Sequence, residues 1–347
     1  GSSMSFMGRL LSGSAPLRGR AGLELIVSPL DYRMAARFWE ITDPRLAVRV
    51  HSIVGGTPAY RREFVRSDAP RDLKDFDDWV CRTVLAPAMP LFREARYLLA
   101  EEPGIRDTAL YSSVLAAVAE GNHTRGGIAG YVGRNSADLG HPLDVLEDAG
   151  LLARDRDLLR KGRSTYRVAE PLITFYHAVM RPDWATLEGA MMAPERTSAV
   201  WRAAQGRFVS NVLGPHFEQM CRTWAARFAP PATFIADPSI AAVDVGAATV
   251  SDAAARTSHE VDVLVTATRH GRRRKVLSIG EAKWGARMGL AHYERLLRIR
   301  ALLAGHPDLD LTDANPACYS AVGFTDDLRR LADQGQVLLV DLHRMYG

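Results

Sequence analysis

Apolar residues recur along this chain with two different periods, and the change of period divides it. Leu30, Met34, Ala35 and Phe38 fall at i, i+4, i+5 and i+8, which is one face of a helix. Gly55-Gly56-Thr57-Pro58 breaks that pattern, and Phe76, Trp79, Val80 and Val84 mark a further helix. Ahead of both lies a lone apolar run, Leu23-Glu24-Leu25-Ile26-Val27, too isolated to build its own sheet. From Asp107, which can cap a helix, Leu110, Val114 and Val118 share a face. Thr124 can cap a second helix carrying Ile128 and Tyr131, and Leu139, Leu143 and Leu146 line a third, which Pro142 should kink. An amphipathic helix is predicted over Ala203–Phe228. Beyond it the spacing predicts strands over Ala242–Val250, Glu260–Thr266 and Lys275–Glu281. A helix over Leu290–Leu303, a strand over Cys318–Phe324, a helix over Asp326–Gln334 and a strand over Val337–Leu342 complete the pattern of a mixed α/β sheet.

Three short helices leading into Leu151–Asp155, a basic turn at Arg160-Lys161-Gly162-Arg163 and the extended Ser164–Val168 predict a winged helix. Arg134 and Asn135 at the start of its third helix, and Arg160, Lys161 and Arg163 at the wing tip, are the candidates for DNA contact. A purely protein-binding role for the same motif is the competing reading.

The candidate chemistry sits in the strands. Asp262 stands among β-branched residues, and nineteen positions later a second strand ends in Glu281-Ala282-Lys283. Alternation puts Glu281 and Lys283 on one face, and adjacent strands would bring Asp262 to them. Two converging carboxylates form a hard oxygen site suited to Mg²⁺ or Mn²⁺, and the lysine can assist an attacking water. The hairpin Arg269-His270-Gly271-Arg272-Arg273-Arg274-Lys275 carries five cations in seven residues. It is a candidate phosphate-contacting lip at Arg272, Arg273, Arg274 and Lys275, or else a solvated turn. His292, on the helix after Lys283, is a weaker candidate and reads more simply as a partly buried polar group.

Composition narrows the picture little. The 347 residues are 47% apolar and 24% charged with a net charge of +4, those of an ordinary globular protein of two or three domains, so a basic footprint must be local. Cys81, Cys221 and Cys318 are far apart and form no CxxC pair, which argues for reduced thiols in a cytoplasmic protein. No apolar run reaches the ~20 residues of a membrane helix. No GxxxxGK[ST] phosphate loop is present, so ATP is not expected to bind here.

Asp262 followed by Glu281-Ala282-Lys283 resembles the sparse signature of the PD-(D/E)xK nucleases, with Val261 where the family's proline often stands. Over its whole length the chain resembles the archaeal and bacterial AAA+ (STAND-like) ATPases that end in DUF234. Gly1–Met7 and Pro16–Ala21 are similar to the end of the ATPase core, Gly55–Tyr60 to its lid, and Leu146–Leu151 with Tyr166–Leu172 to its winged helix. Phe217-Glu218, Glu260-Val261-Asp262 and Gly280–Trp284 are similar to DUF234. The resemblance implies a remnant of the ATPase core over 1–35, with Arg20 a sensor lacking its site. It further implies a helical lid-like domain over 36–104, a winged helix over 105–180 and a restriction-endonuclease-like α/β domain over 181–347. The expected function is a Mg²⁺- or Mn²⁺-dependent deoxyribonuclease acting on duplex DNA, with Asp262, Glu281 and Lys283 catalytic and Asp262, Glu281 and Glu218 holding the metal. The alternatives are a non-catalytic DNA- or protein-binding regulator and an oligomerisation module.

Overall fold

The computed structural model describes residues 25, 27–100, 107–160, 162–193, 195–234, 243–267 and 273–347. Most of the ATPase remnant expected over 1–35, including Arg20 and most of the Leu23–Val27 run, lies outside them, as do Lys161 and Arg272. The chain divides into two compact units. One comprises residues up to 154 together with 165–212, and the other comprises 155–164 and 213–347.

The first unit is helical. Asp31 caps α1 (Tyr32–Phe38) by accepting from the backbone N–H groups of Arg33 and Met34, and Asp43 caps α2 (Pro44–Val54) in the same way. Helix α3 (Phe76–Trp79) runs on through a wide turn at Val80–Val84, and α4 spans Pro90–Ala100. Asp107 accepts from the Leu110 N–H at the start of α5 (Thr108–Ala119), and the Thr124 hydroxyl accepts from Gly127 at the start of α6 (Arg125–Val132). Helix α7 (Gly140–Asp148) holds Pro142 in its first turn. The N–H groups of a first turn have no partner within the helix, so the proline removes no bond and the expected kink is absent. Strands β1 (Leu152–Arg156) and β2 (Ser164–Val168) pair as a hairpin, followed by α8 (Pro171–Phe175), α9 (Trp184–Glu188) and α10 (Glu195–Arg207). Phe76, Trp79, Phe175, Trp201 and Phe208, all nearly or fully buried, meet at ring separations of 5.1–6.2 Å and form an aromatic centre of this unit.

The helix predicted over Ala203–Phe228 is present and begins earlier, at Glu195, with a π-helical stretch inside it. Helix α10 passes at Arg207 into the π-helical stretch Phe208–Leu213, which continues as α11 (Gly214–Arg227) with Pro215 just beyond it. Proline has no N–H to give to the helical ladder, and it falls where the wider π-helical pattern has already changed that ladder.

The second unit is a six-stranded mixed sheet. Strands β3 (Val243–Asp252), β4 (Thr257–Ala267) and β5 (Arg274–Lys283) form an antiparallel meander. Helix α12 (Leu290–Ala304) then crosses to β7 (Asn315–Ser320), which lies parallel to β5, and α13 (Asp326–Asp333) crosses to β8 (Leu338–Asp341), parallel to β7. A short β6 (Leu309–Asp310) pairs with the start of β5, and α14 (Leu342–Tyr346) ends the chain. Strand β7 stops at Ser320, short of the predicted Phe324, where the Ser320 hydroxyl accepts from the N–H groups of Val322 and Gly323 and turns the backbone. Leu264, Val276, Ile279, Leu296, Ile299 and Cys318 belong to the apolar core shared with α12. Helix α11 packs against β3, β4 and β5, with Phe217 edge-on to Trp284 at 5.6 Å and Trp224 edge-on to Tyr319 at 6.1 Å. Gly280 permits this packing, since a Cβ there would stand 2.8 Å from the Tyr319 ring and 3.0 Å from the Val263 carbonyl.

The hairpin tip is not the free wing that DNA contact requires. Residues 155–164 belong to the second unit, where Leu158 and Leu159 pack against the core of the sheet. A Cβ on Gly246 would come within 3.0 Å of Leu158, so the glycine makes room for it. The fold expectation is therefore corrected to a helical part and a mixed sheet. The restriction-endonuclease-like class and the exposed wing are withdrawn.

Candidate acid–base site

The polar centre of the second unit lies where α11 and α12 approach β4 and β5. Cross-strand pairing of Val263 with Gly280 sets Asp262 beside the end of β5. There the Ala282 N–H donates to Asp262 Oδ2 at 2.8 Å. Glu281, 4% exposed within β5, lies 3.0 Å from Lys283 Nζ through Oε1 and 3.1 Å from an Arg295 guanidinium nitrogen through Oε2. Oε2 has no aligned hydrogen bond, so the Arg295 contact is one of charge. Arg295, on α12, also donates to the Glu260 carbonyl at 2.9 Å. From α11, Arg222 donates to the Asp262 carbonyl at 2.9 Å, one helical turn beyond Glu218.

These neighbours shift the protonation of the group. Burial, and after it the Asp262 charge, pushes Glu218 up to about 7, against the pull of Arg222 and Lys283. Burial also raises Asp262, while the Ala282 N–H and Lys283 favour its ionised form. Burial alone would lower Lys283, but the Glu281 and Asp262 charges outweigh it and hold the ammonium above its ordinary value. The result is an acid that titrates near neutrality beside a lysine that stays charged.

Glu218 is a group whose protonation affects stability at neutral pH, as is Glu170 of the helical unit, which burial also pushes up to about 7. The folded-state value of about 7 for Glu218 exceeds the ordinary 4.5, so the folded chain holds this proton more tightly than the unfolded chain does. Its contribution is complete below pH 4.5 and is lost as pH rises to about 7. Glu218→Gln removes that loss, so the variant gains about 2 kcal/mol over the wild type between pH 5 and pH 8. Urea unfolding of both proteins at the two pH values measures it, and parallel pH profiles would refute it.

Sequence spacing singled out Asp262, Glu281 and Lys283, the family resemblance added Glu218, and the structure brings all of them to this centre. It missed Arg295 and Arg222, whose approach depends on how α12 and α11 lie on the sheet. His292 is elsewhere occupied: its Nδ1 accepts from the Gly289 N–H at 3.2 Å and caps the start of α12.

The metal expectation is corrected. Among the described residues no group of three or more His, Cys, Asp or Glu side chains is arranged to hold a metal ion. Glu281 is instead neutralised by Lys283 and Arg295, and one oxygen of Asp262 is taken by a backbone N–H, so these residues do not fit a Mg²⁺ or Mn²⁺ ligand set. The DNA surface is corrected as well. Arg160 donates to the Ser251 hydroxyl, Arg274 to the Leu158 carbonyl, and Lys275 pairs with Asp313. Lys275 and Arg273 also favour the ionised form of Asp310, whose pKa lies below the usual carboxylate range mainly through Thr312. Among the described residues of the lip, Lys275 is thus paired with an acid and Arg274 with a backbone carbonyl of its own unit. The Arg163 carbonyl closes the tip turn by accepting from Asp157 N–H, while Arg134 and Asn135 are exposed beside the turn that leads into α7.

No family model matches this chain. Among curated proteins it is similar to the uncharacterized protein MJECL04 of Methanocaldococcus jannaschii, 26% identical over 223 residues. That match takes in 62% of this chain and 48% of the relative, so the chain spans about half the relative's length. A solved structure that it matches is an O-methyltransferase (NcsB1) from neocarzinostatin biosynthesis in complex with S-adenosyl-L-homocysteine, at 16% identity over 72% of this chain and 66% of that one. The matched structure is a methyltransferase and not a nuclease. Its TM-score is 0.16, too low to carry an argument for methyl transfer or for its fold. The metal-dependent deoxyribonuclease, its hydrolase activity and its duplex DNA partner are withdrawn with the metal set and the lip. No helix among the described residues is long and apolar enough to cross a membrane.

Proposed function

We propose that the second unit carries an acid–base centre that moves a proton on a small anionic substrate. The observation that supports this most is Glu218, titrating near neutrality beside the charged Lys283. A group with that pKa gives and takes protons at neutral pH with the least loss of either form. Lys283 and Arg295 are each partly exposed, 41% and 34% at the side chain, and offer the charge that draws an anion to Glu218. The reaction class that uses this set is proton abstraction beside a carbonyl. Glu218, in its ionised form, takes the proton from carbon, the electron pair moves onto the carbonyl oxygen, and the Lys283 ammonium stabilises the enolate.

Exchange into D₂O tests this. Pyruvate, 2-oxobutyrate, acetoacetate and dihydroxyacetone phosphate are incubated with the protein and followed by proton NMR. The wild type speeds loss of at least one C–H signal, and Glu218→Gln lowers that rate about 100-fold or more. Exchange at the spontaneous rate for all of them, or unchanged exchange in Glu218→Gln, would refute the proposal.

The relatedness we propose is to the ATPases that end in DUF234. The length of the archaeal relative supports it, since half of that protein lies beyond the match and leaves room for an ATPase core.

A further inference from the structure

A second polar site lies in the helical unit, away from these carboxylates. A cleft of about 470 Å³ opens between α4, α5 and the segment after α8. Three guanidinium groups line it, those of Arg93, Arg96 and Arg181. Arg93 reaches Glu188 at 3.5 Å and Arg181 reaches Glu120 at 3.8 Å, both loose and solvent-exposed pairs. Exposed ion pairs of this kind contribute little to stability, so they yield readily to a stronger anion. Arg96 lies over the Trp184 ring at 5.0 Å, which fixes its plane while leaving its N–H edge available.

The remaining wall is aromatic and hydrogen-bonding. Tyr97, 50% exposed, and Ser112 line the cleft, and Tyr176 stands edge-on to His177 at 5.1 Å. His177 is 5% exposed, lines the same cleft, and its Nδ1 is buried without a hydrogen-bond partner. Burial, and after it the Arg181 charge, lowers its pKa to about 4, so the ring is neutral at pH 7.

We propose that this cleft binds a phosphate monoester carrying a planar ring, with the phosphate held by Arg96 and Arg181 and the ring set beside Tyr97 and His177. Guanidinium groups match phosphate oxygens through paired N–H donors, which a single ammonium does not. The volume lies in the range of small-molecule sites, about 300–1,000 Å³, and exceeds what inorganic phosphate alone would fill.

The probe is 1-naphthyl phosphate, with inorganic phosphate and 1-naphthol as its two halves, all titrated calorimetrically into the whole protein. The phosphate ester binds at least about tenfold tighter than either half, and Arg96→Gln and Arg181→Gln each weaken it about tenfold. Lys283→Met leaves that affinity unchanged, because it alters only the acid–base centre. Circular dichroism of each variant checks that it is folded. No binding of the ester, equal binding of ester and phosphate, or insensitivity to both arginine substitutions would overturn the site. Loss of binding in Lys283→Met would move the ligand to the other unit and overturn it equally.

Discussion

Replacing Trp201 by alanine lowers the unfolding free energy of the helical unit by about 4 kcal/mol. The side chain is 2% exposed and stands between Phe76, Phe175 and Phe208 at 5.1–6.2 Å, so its loss leaves a cavity that helices on several sides cannot all close. Its indole N–H also donates to Asp77 Oδ1 at 2.9 Å, a bond lost on truncation, although the exposed Asp77 carboxylate can then turn to water. In a unit of this size the melting temperature falls by about 10 °C. Trp201→Phe keeps most of the volume and loses the hydrogen bond, so it falls between wild type and alanine. Thermal and urea unfolding of the three proteins give the ordering. A loss below about 1 kcal/mol for the alanine variant would show that the aromatic centre is not the core of this unit.

The double substitution Lys283→Met, Arg295→Met destabilises the sheet unit by about 3 kcal/mol at pH 7. Glu281 is 4% exposed and has both cations within 3.1 Å, so removing them leaves a buried carboxylate with no charge to offset its desolvation. The figure stays below that of a fully buried pair because the lysine and arginine are themselves partly solvated. Adding Glu281→Gln to the double variant restores most of the loss, since the amide carries no charge to desolvate. Urea unfolding of the double and triple variants reads both steps. A double variant as stable as the wild type would show that Glu281 draws little from its two partners.

The two predictions address different parts of the molecule, and they separate scaffold from site. Trp201→Ala should leave the titration of Glu218 in place, because the charges acting on Glu218 all belong to the sheet unit. The Lys283 and Arg295 substitutions act on that centre directly.

Local sequence determined much of the secondary structure. Asp107 and Thr124 were legible as caps because a side-chain oxygen before an apolar period has one favourable use. The three strands of the meander were legible from β-branched runs, and Glu281-Ala282-Lys283 from the two-residue period of a strand. Adjacent strands also placed Asp262 near them, whereas Glu218 came from the resemblance to the nuclease superfamily and not from spacing.

Tertiary structure decided what those residues do. Arg222 and Arg295 come from helices whose angle on the sheet no local pattern specifies, and Arg295 together with Lys283 turns a candidate metal ligand into a neutralised carboxylate. The same holds for the basic segments. Arg160 read as part of a wing tip and Arg274 and Lys275 as part of a charged lip, yet Ser251, Leu158 and Asp313, up to 116 positions away, occupy them. A charge on a strand or turn is visible in sequence, but its partner, its burial and therefore its protonation depend on distant segments brought together by packing.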